Sequence, residues 1–92
     1  MMQYAVKYIL KAIDKCTRET HSSPRRLIVN PDIMRKLRLA APAGMFRLLT
    51  ANLETFSGIP IVENVKQIGL GSLRTCHGDM IMIQADPGRG NG

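Results

Sequence analysis

The side chains best suited to chemistry in this chain are its two cysteines and two histidines. Cys16 and His21 lie near the end of a helical pattern, and Cys76 and His77 are adjacent. Together they could supply ligands to a metal ion, but their spacing matches no metal-binding signature. Adjacent residues of an extended chain point to opposite sides, which separates the Cys76 thiol from the His77 imidazole. We therefore expect no metal site, no cysteine catalysis and two reduced thiols.

Other common catalytic patterns are also missing from the sequence. The seven acidic residues are scattered, so no pair of carboxylates is set apart for acid–base catalysis. The Gly69-Leu70-Gly71 segment is too short for a phosphate-binding loop and lacks a following Lys-Ser or Lys-Thr. We predict that the protein is not an enzyme and uses no cofactor.

The whole chain has a formal net charge of +6, and most of this positive charge is concentrated in its middle. Between positions 25 and 47 a single acid, Asp32, stands against the basic residues Arg25, Arg26, Arg35, Lys36, Arg38 and Arg47. Such a segment can bind nucleic-acid phosphates or an acidic protein surface. It has no aromatic residue to stack on bases except Phe46, and a solvated basic face explains the same charges. We expect no membrane partner, since Lys7 and Lys11 interrupt the short apolar opening segment.

The first half of the chain has clear local patterns. Apolar residues recur at helical spacing from Gln3 to Thr20, which predicts an amphipathic helix. The apolar run Arg26–Val29 predicts a buried strand. Asn30 is a good helix cap, and a second helix is expected over 31–40, with Pro31 in its first turn.

The second half predicts mainly strands. We expect a loop or short helix after Met45, a strand at Leu53–Phe56, and a loop or irregular strand over Val65–Thr75. Ile59–Val62 is a strand that contains Pro60, which places it at a sheet edge or at a position that donates no hydrogen bond. Met80–Ile83 is a last strand, apolar on both faces and therefore covered on both.

Helix, strand, helix and several strands in this order predict an α+β fold. We expect one domain over residues 1–85, in which the N-terminal amphipathic helix and the second short helix pack on a small, mostly antiparallel sheet, and a flexible tail over 86–92. A chain of 92 residues buries a small core, so association with a partner is a common way to add stability.

Two segments resemble the peripheral domain of tailed-phage major capsid proteins. Residues 26–37 (RLIVNPDIMRKL) are similar to the strand-to-helix step of those subunits, and residues 53–64 (LETFSGIPIVEN) to a later aromatic and Gly-Ile-Pro segment that leads into a strand. The chain lacks the N-terminal arm, the extended loop and the axial part of a full capsid subunit. The resemblance therefore implies a structural or accessory protein of a phage or prophage, located in the virion or the host cytoplasm.

In that role the protein would contact other protein subunits, with self-association as one form of contact. Its predicted contact surfaces are the basic residues and the strand that contains Pro60, and the residues concerned are Arg25, Arg26, Arg35, Lys36, Arg38, Arg47, Ile59 and Ile61. Two alternatives are a small basic nucleic-acid-binding protein and a phage-encoded inhibitor of a host protein.

Overall fold

A computed structural model describes residues 2–83 of the protein. Within this range the chain forms two α-helices and six β-strands, which are α1 (Met2–Thr20), β1 (Arg26–Val29), α2 (Pro31–Ala40), β2 (Phe46–Thr50), β3 (Leu53–Phe56), β4 (Ile59–Glu63), β5 (Gly71–Arg74) and β6 (Met80–Ile83). The helices pack on one mostly antiparallel sheet, so the predicted α+β architecture is confirmed. The tail predicted at 86–92 lies outside the described residues.

The connection from β1 to α2 forms as predicted. The Asn30 side-chain oxygen accepts a hydrogen bond from the Ile33 N–H at 2.8 Å, and Pro31 opens the helix. Asp32 lies in the first turn, where a carboxylate interacts favourably with the helix dipole. The Asn30 amide also donates to the Gln67 carbonyl at 3.2 Å, which holds the loop between β4 and β5 beside the start of α2.

The strands lie side by side in the order β2-β3-β4-β1-β5-β6. β1 pairs in parallel with β4, and the other neighbouring strands are antiparallel. Because β4 lies between β3 and β1, Ile59–Val62 is not at an edge, which leaves the second predicted placement, a position that donates no hydrogen bond. The register places Pro60 level with Arg26, the first residue of β1, so the missing N–H falls where the ladder between these strands begins.

The edges of the sheet, within the described residues, are β2 and β6. The prediction of a loop or short helix after Met45 is wrong, because Phe46–Thr50 pairs with β3 through a tight turn at Ala51-Asn52 that has no glycine to mark it. The prediction that Met80–Ile83 is covered on both faces is also wrong. No described strand lies beyond β6, and only Ile83 of this strand is buried.

One hydrophobic core lies between the helices and the sheet. Leu27 and Val29 of β1 point into it, and the sheet, α1 and α2 together supply Ala5, Val6, Ile9, Cys16, Ile33, Met34, Leu37, Phe56, Ile59, Ile61, Leu73 and Ile83. Burial of one large apolar side chain stabilises the fold by about 1.5–3 kcal/mol. Successive residues of a strand point to opposite faces, so the residues between these core positions lie on the other face of the sheet.

Candidate functional site: the open face of the sheet

The basic residues of α2 lie in the helical layer and are paired with acids. Arg35 and Lys36 both contact Asp32, with N–O distances of 2.5 and 3.2 Å. These contacts lower the pKa of the Asp32 carboxyl, mainly through its hydrogen bond with Lys36. Spacings of three and four residues on a helix bring such partners together. The positive charge that the sequence places on this helix is therefore partly neutralised by the helix itself.

Arg38 holds α2 against the hairpin of β2 and β3. Its guanidinium donates two hydrogen bonds to the Glu54 carboxylate, at 2.7 and 2.6 Å, and lies 4.9 Å from the centre of the Phe46 ring. The bond from Arg38 lowers the pKa of Glu54, and the same bond raises the pKa of Arg38. This geometry gives Arg38 a structural role within the fold.

Arg25, Arg26 and Arg47 are placed differently. All three are exposed, and none of their side chains makes an ion pair or hydrogen bond with the described part of the chain. Arg26 alternates with the core residue Leu27, and Arg47 with the core-packed Phe46, so both lie on the face of the sheet away from the helices. We call this the open face, because neither described helix covers it.

A basic row crosses the open face. Pairing aligns Arg47 with Thr55, Thr55 with Pro60, and Arg26 with Arg74, while Pro60 is level with Arg26. We define the basic row as Arg47, Arg26 and Arg74. The backbones of Arg26 and Arg74 are direct neighbours, about 5 Å apart. The backbone of Arg47 lies three strands from that of Arg26, at about 14 Å. Arg74 donates to the Gly78 carbonyl at 2.9 Å but forms no ion pair with a described acid.

An apolar row runs beside the basic row, two residues further along the strands. We define it as Leu53, Val62, Ile28 and Met82, which the register aligns across β3, β4, β1 and β6. Leu53, Val62 and Met82 are 38%, 40% and 41% exposed. Between Ile28 and Met82 lies Ser72, which is fully buried and donates to the Gln67 side chain at 3.0 Å. The Gln67 amide also contacts the Met82 sulfur at 3.9 Å, so this polar side chain separates Met82 from the rest of the row. Exposed apolar side chains that lie together, rather than singly, are typical of binding surfaces.

Ile59 and Ile61 do not belong to this surface. Both are buried on the helix-facing side of β4, so neither side chain reaches the open face. The residues of β4 that reach the open face are their neighbours Pro60 and Val62. The alternation in the sequence does not by itself indicate which face of β4 the helices cover.

The two cysteines lie close enough for Cys76 to act on Cys16 electrostatically, and the two histidines lie in exposed turns. Cys16 is buried on α1, and burial raises the pKa of its thiol. His21 and His77 are exposed, and neither imidazole forms a hydrogen bond with residues 2–83. In this range no three side chains of His, Cys, Asp or Glu are grouped as they would be around a metal ion. No described helix is long and apolar enough to cross a membrane.

Sequence reasoning missed most of the open face. Arg74, Leu53, Ile28 and Met82 are not among the predicted contact residues, and Val62 is included only as part of the predicted strand Ile59–Val62. The alternation around Arg26 and Ile28 could have placed those two on one face. The contribution of β5 and β6 depends on pairings between distant segments, for which the sequence gives no local signal.

Comparisons of the chain with protein-family models, with curated proteins and with solved structures found no match.

Proposed function

We propose that this chain is a protein-binding domain without catalytic activity, which contacts another protein subunit through the open face of its sheet. The observation that carries the proposal is the apolar row, in which Leu53, Val62 and Met82 remain about 40% exposed next to arginines without acidic partners. Covering such side chains removes apolar surface from water, which is the main favourable contribution to most protein association.

The proposed setting is the assembly of a phage or prophage particle, in which the chain is a structural or accessory subunit of the virion. Its support is the resemblance of residues 26–37 and 53–64 to capsid subunits. Residues 26–37 form a strand followed by a helix, and residues 53–64 form two strands joined by a turn at Ser57-Gly58.

Nucleic-acid binding is the second candidate, and the unpaired side chains of Arg25, Arg26 and Arg47 favour it. The arrangement of aromatic rings counts against it. Phe46 and Phe56 lie on the helix-facing side, with ring centres 5.0 Å apart, and the open face has no aromatic side chain within the described residues. Proteins that bind single strands commonly stack bases on such rings.

Site-specific photo-crosslinking tests the proposal in the cells that express the chain. A photoreactive phenylalanine analogue is placed at Val62 on the open face, and the matched control carries it at Lys11, which is exposed on α1. We expect a discrete protein adduct from position 62 that survives nuclease treatment and is missing from position 11. A virion protein in that adduct supports assembly, and a host protein supports the inhibitor alternative. An adduct that nuclease removes, or equal adducts from both positions, would refute the proposal.

A further inference from the structure

The chemistry of the open face identifies the kind of protein that it binds. We infer that the open face receives an acidic amphipathic α-helix of another protein, with its apolar stripe on the apolar row and its carboxylates on the basic row. This inference rests on the proposed function and adds the partner's class to it.

The two rows have the dimensions of one helix. They are offset by two residues along the strands, which corresponds to about 7 Å, and they cross a sheet about 24 Å wide. A helix is about 10 Å in diameter and needs about 16 residues to span 24 Å, so it covers both rows at once. A helix also satisfies its own backbone hydrogen bonds, whereas an extended segment laid on a sheet face would leave many of them unmade.

The charge of the basic row requires acids in the partner. Arg26 and Arg74 are opposite each other on neighbouring strands, an arrangement of like charges that destabilises a sheet. A carboxylate between their guanidinium groups would accept charge-assisted hydrogen bonds and offset that repulsion. Arg47, about 14 Å away, would meet a second acid roughly two or three helical turns along the same partner.

Two other occupants fit the open face poorly. A second copy of the chain, facing the first across a two-fold axis, would bring both basic rows into one interface, where like charges oppose association. The sequence of residues 84–92 (QADPGRGNG) offers no large apolar side chain to match the apolar row.

Binding of three labelled probes, measured by fluorescence anisotropy, tests the inference. The first is a 16-residue helical peptide with leucines on one face and glutamates along its flank, the second replaces the glutamates with lysines, and the third is a 20-nucleotide oligothymidylate. We expect binding of the acidic peptide at least tenfold tighter than that of either other probe. The affinity should fall as salt is raised, because exposed charges are screened.

Paired variants identify the surface that is used. Arg26→Gln with Arg47→Gln should weaken binding of the acidic peptide about 2- to 30-fold, the range expected for two exposed ion pairs. The control is Arg35→Gln with Lys36→Gln, which removes the same net charge from the helical layer and should leave the affinity within about twofold.

The inference would be overturned by equal binding of the two peptides, tighter binding of the oligothymidylate, or equal losses in the two double variants. Failure of the acidic peptide to bind at all would also overturn it. The proposed function would survive that failure if the crosslinker at Val62 still captured a protein, so the two ideas fail separately.

Discussion

Replacing Gly71 with alanine should destabilise the sheet at the junction between β5 and β1. Gly71 has a φ of +141°, which side chains other than glycine rarely adopt. A Cβ atom there would lie 2.6 Å from the Ile28 carbonyl oxygen and 3.0 Å from Cγ1 of Val29. The first of these is a contact with backbone, so a side-chain rotation cannot relieve it.

The size of the effect follows from these two costs. The unfavourable φ costs about 1–3 kcal/mol, and forcing an extra methyl group into a packed site costs about another 1–3 kcal/mol. Gly58 and Gly78 provide matched controls, because they also have positive φ, +84° and +91°, but nothing lies within 4 Å of an added Cβ. Gly71→Ala should therefore be about 1–3 kcal/mol less stable than Gly58→Ala or Gly78→Ala, with a melting temperature about 5–20 °C lower.

Urea unfolding of the three variants, followed by circular dichroism, measures these differences. Unfolding free energies of Gly71→Ala and Gly78→Ala within about 0.5 kcal/mol of each other would refute the close approach of β5 to β1. The consequence would extend to the open face, since the same pairing of strands places Arg74 beside Arg26. An equal result would therefore also weaken the case for the basic row.

Three further predictions concern the helical layer. Arg38→Ala should lower the free energy of unfolding by about 0.7–2 kcal/mol at pH 7, through loss of an exposed ion pair and a cation–π contact. The pKa of Glu54 is lowered in the folded state, so the stability from the ion pair is present above the ordinary glutamate pKa and is lost as pH falls through the folded value. If urea titrations at pH 3 gave Arg38→Ala the same loss of unfolding free energy as at pH 7, this explanation would be contradicted. Asn30→Ala should cost about 1 kcal/mol and Asn30→Asp less, because aspartate can still cap α2; equal losses in thermal unfolding would exclude capping as the cause. An aromatic disulfide reagent should modify Cys76 in the native protein and Cys16 only in urea, because Cys16 is buried and its thiol pKa is raised by that burial; native labelling of a Cys76→Ser variant would show that α1 does not bury Cys16.

The parts of the fold that the sequence predicts correctly depend on short-range contacts. β1 and α2 have their predicted bounds because the cap at Asn30 acts on Ile33, three residues later, and needs no distant partner. The amphipathic pattern of α1 is local in the same way. Such signals can be recognised before the rest of the fold is known.

The errors concern features that exist only after strands pair. Phe46–Thr50 is a strand because β3 lies beside it, and the Phe46 and Phe56 rings pack together across this pair. Met80–Ile83 looks like an interior strand because it is entirely apolar, but it lies at an edge. The sequence does not indicate which strand occupies which position, since strand order is set by pairing across the whole sheet.

The basic segment shows how this limit affects the assignment of a binding surface. In the sequence, Arg26, Arg35 and Arg47 belong to one positive cluster. On the helix, Arg35 finds an acid three residues away, because helical spacing places Asp32 within reach. Residues on a strand have no such neighbour, since the side chains opposite them come from other strands, and the one opposite Arg26 is Arg74. The arginines on the strands are therefore left without an acidic partner, whereas those on α2 have one, and a partner's acids would have the larger effect on the strands.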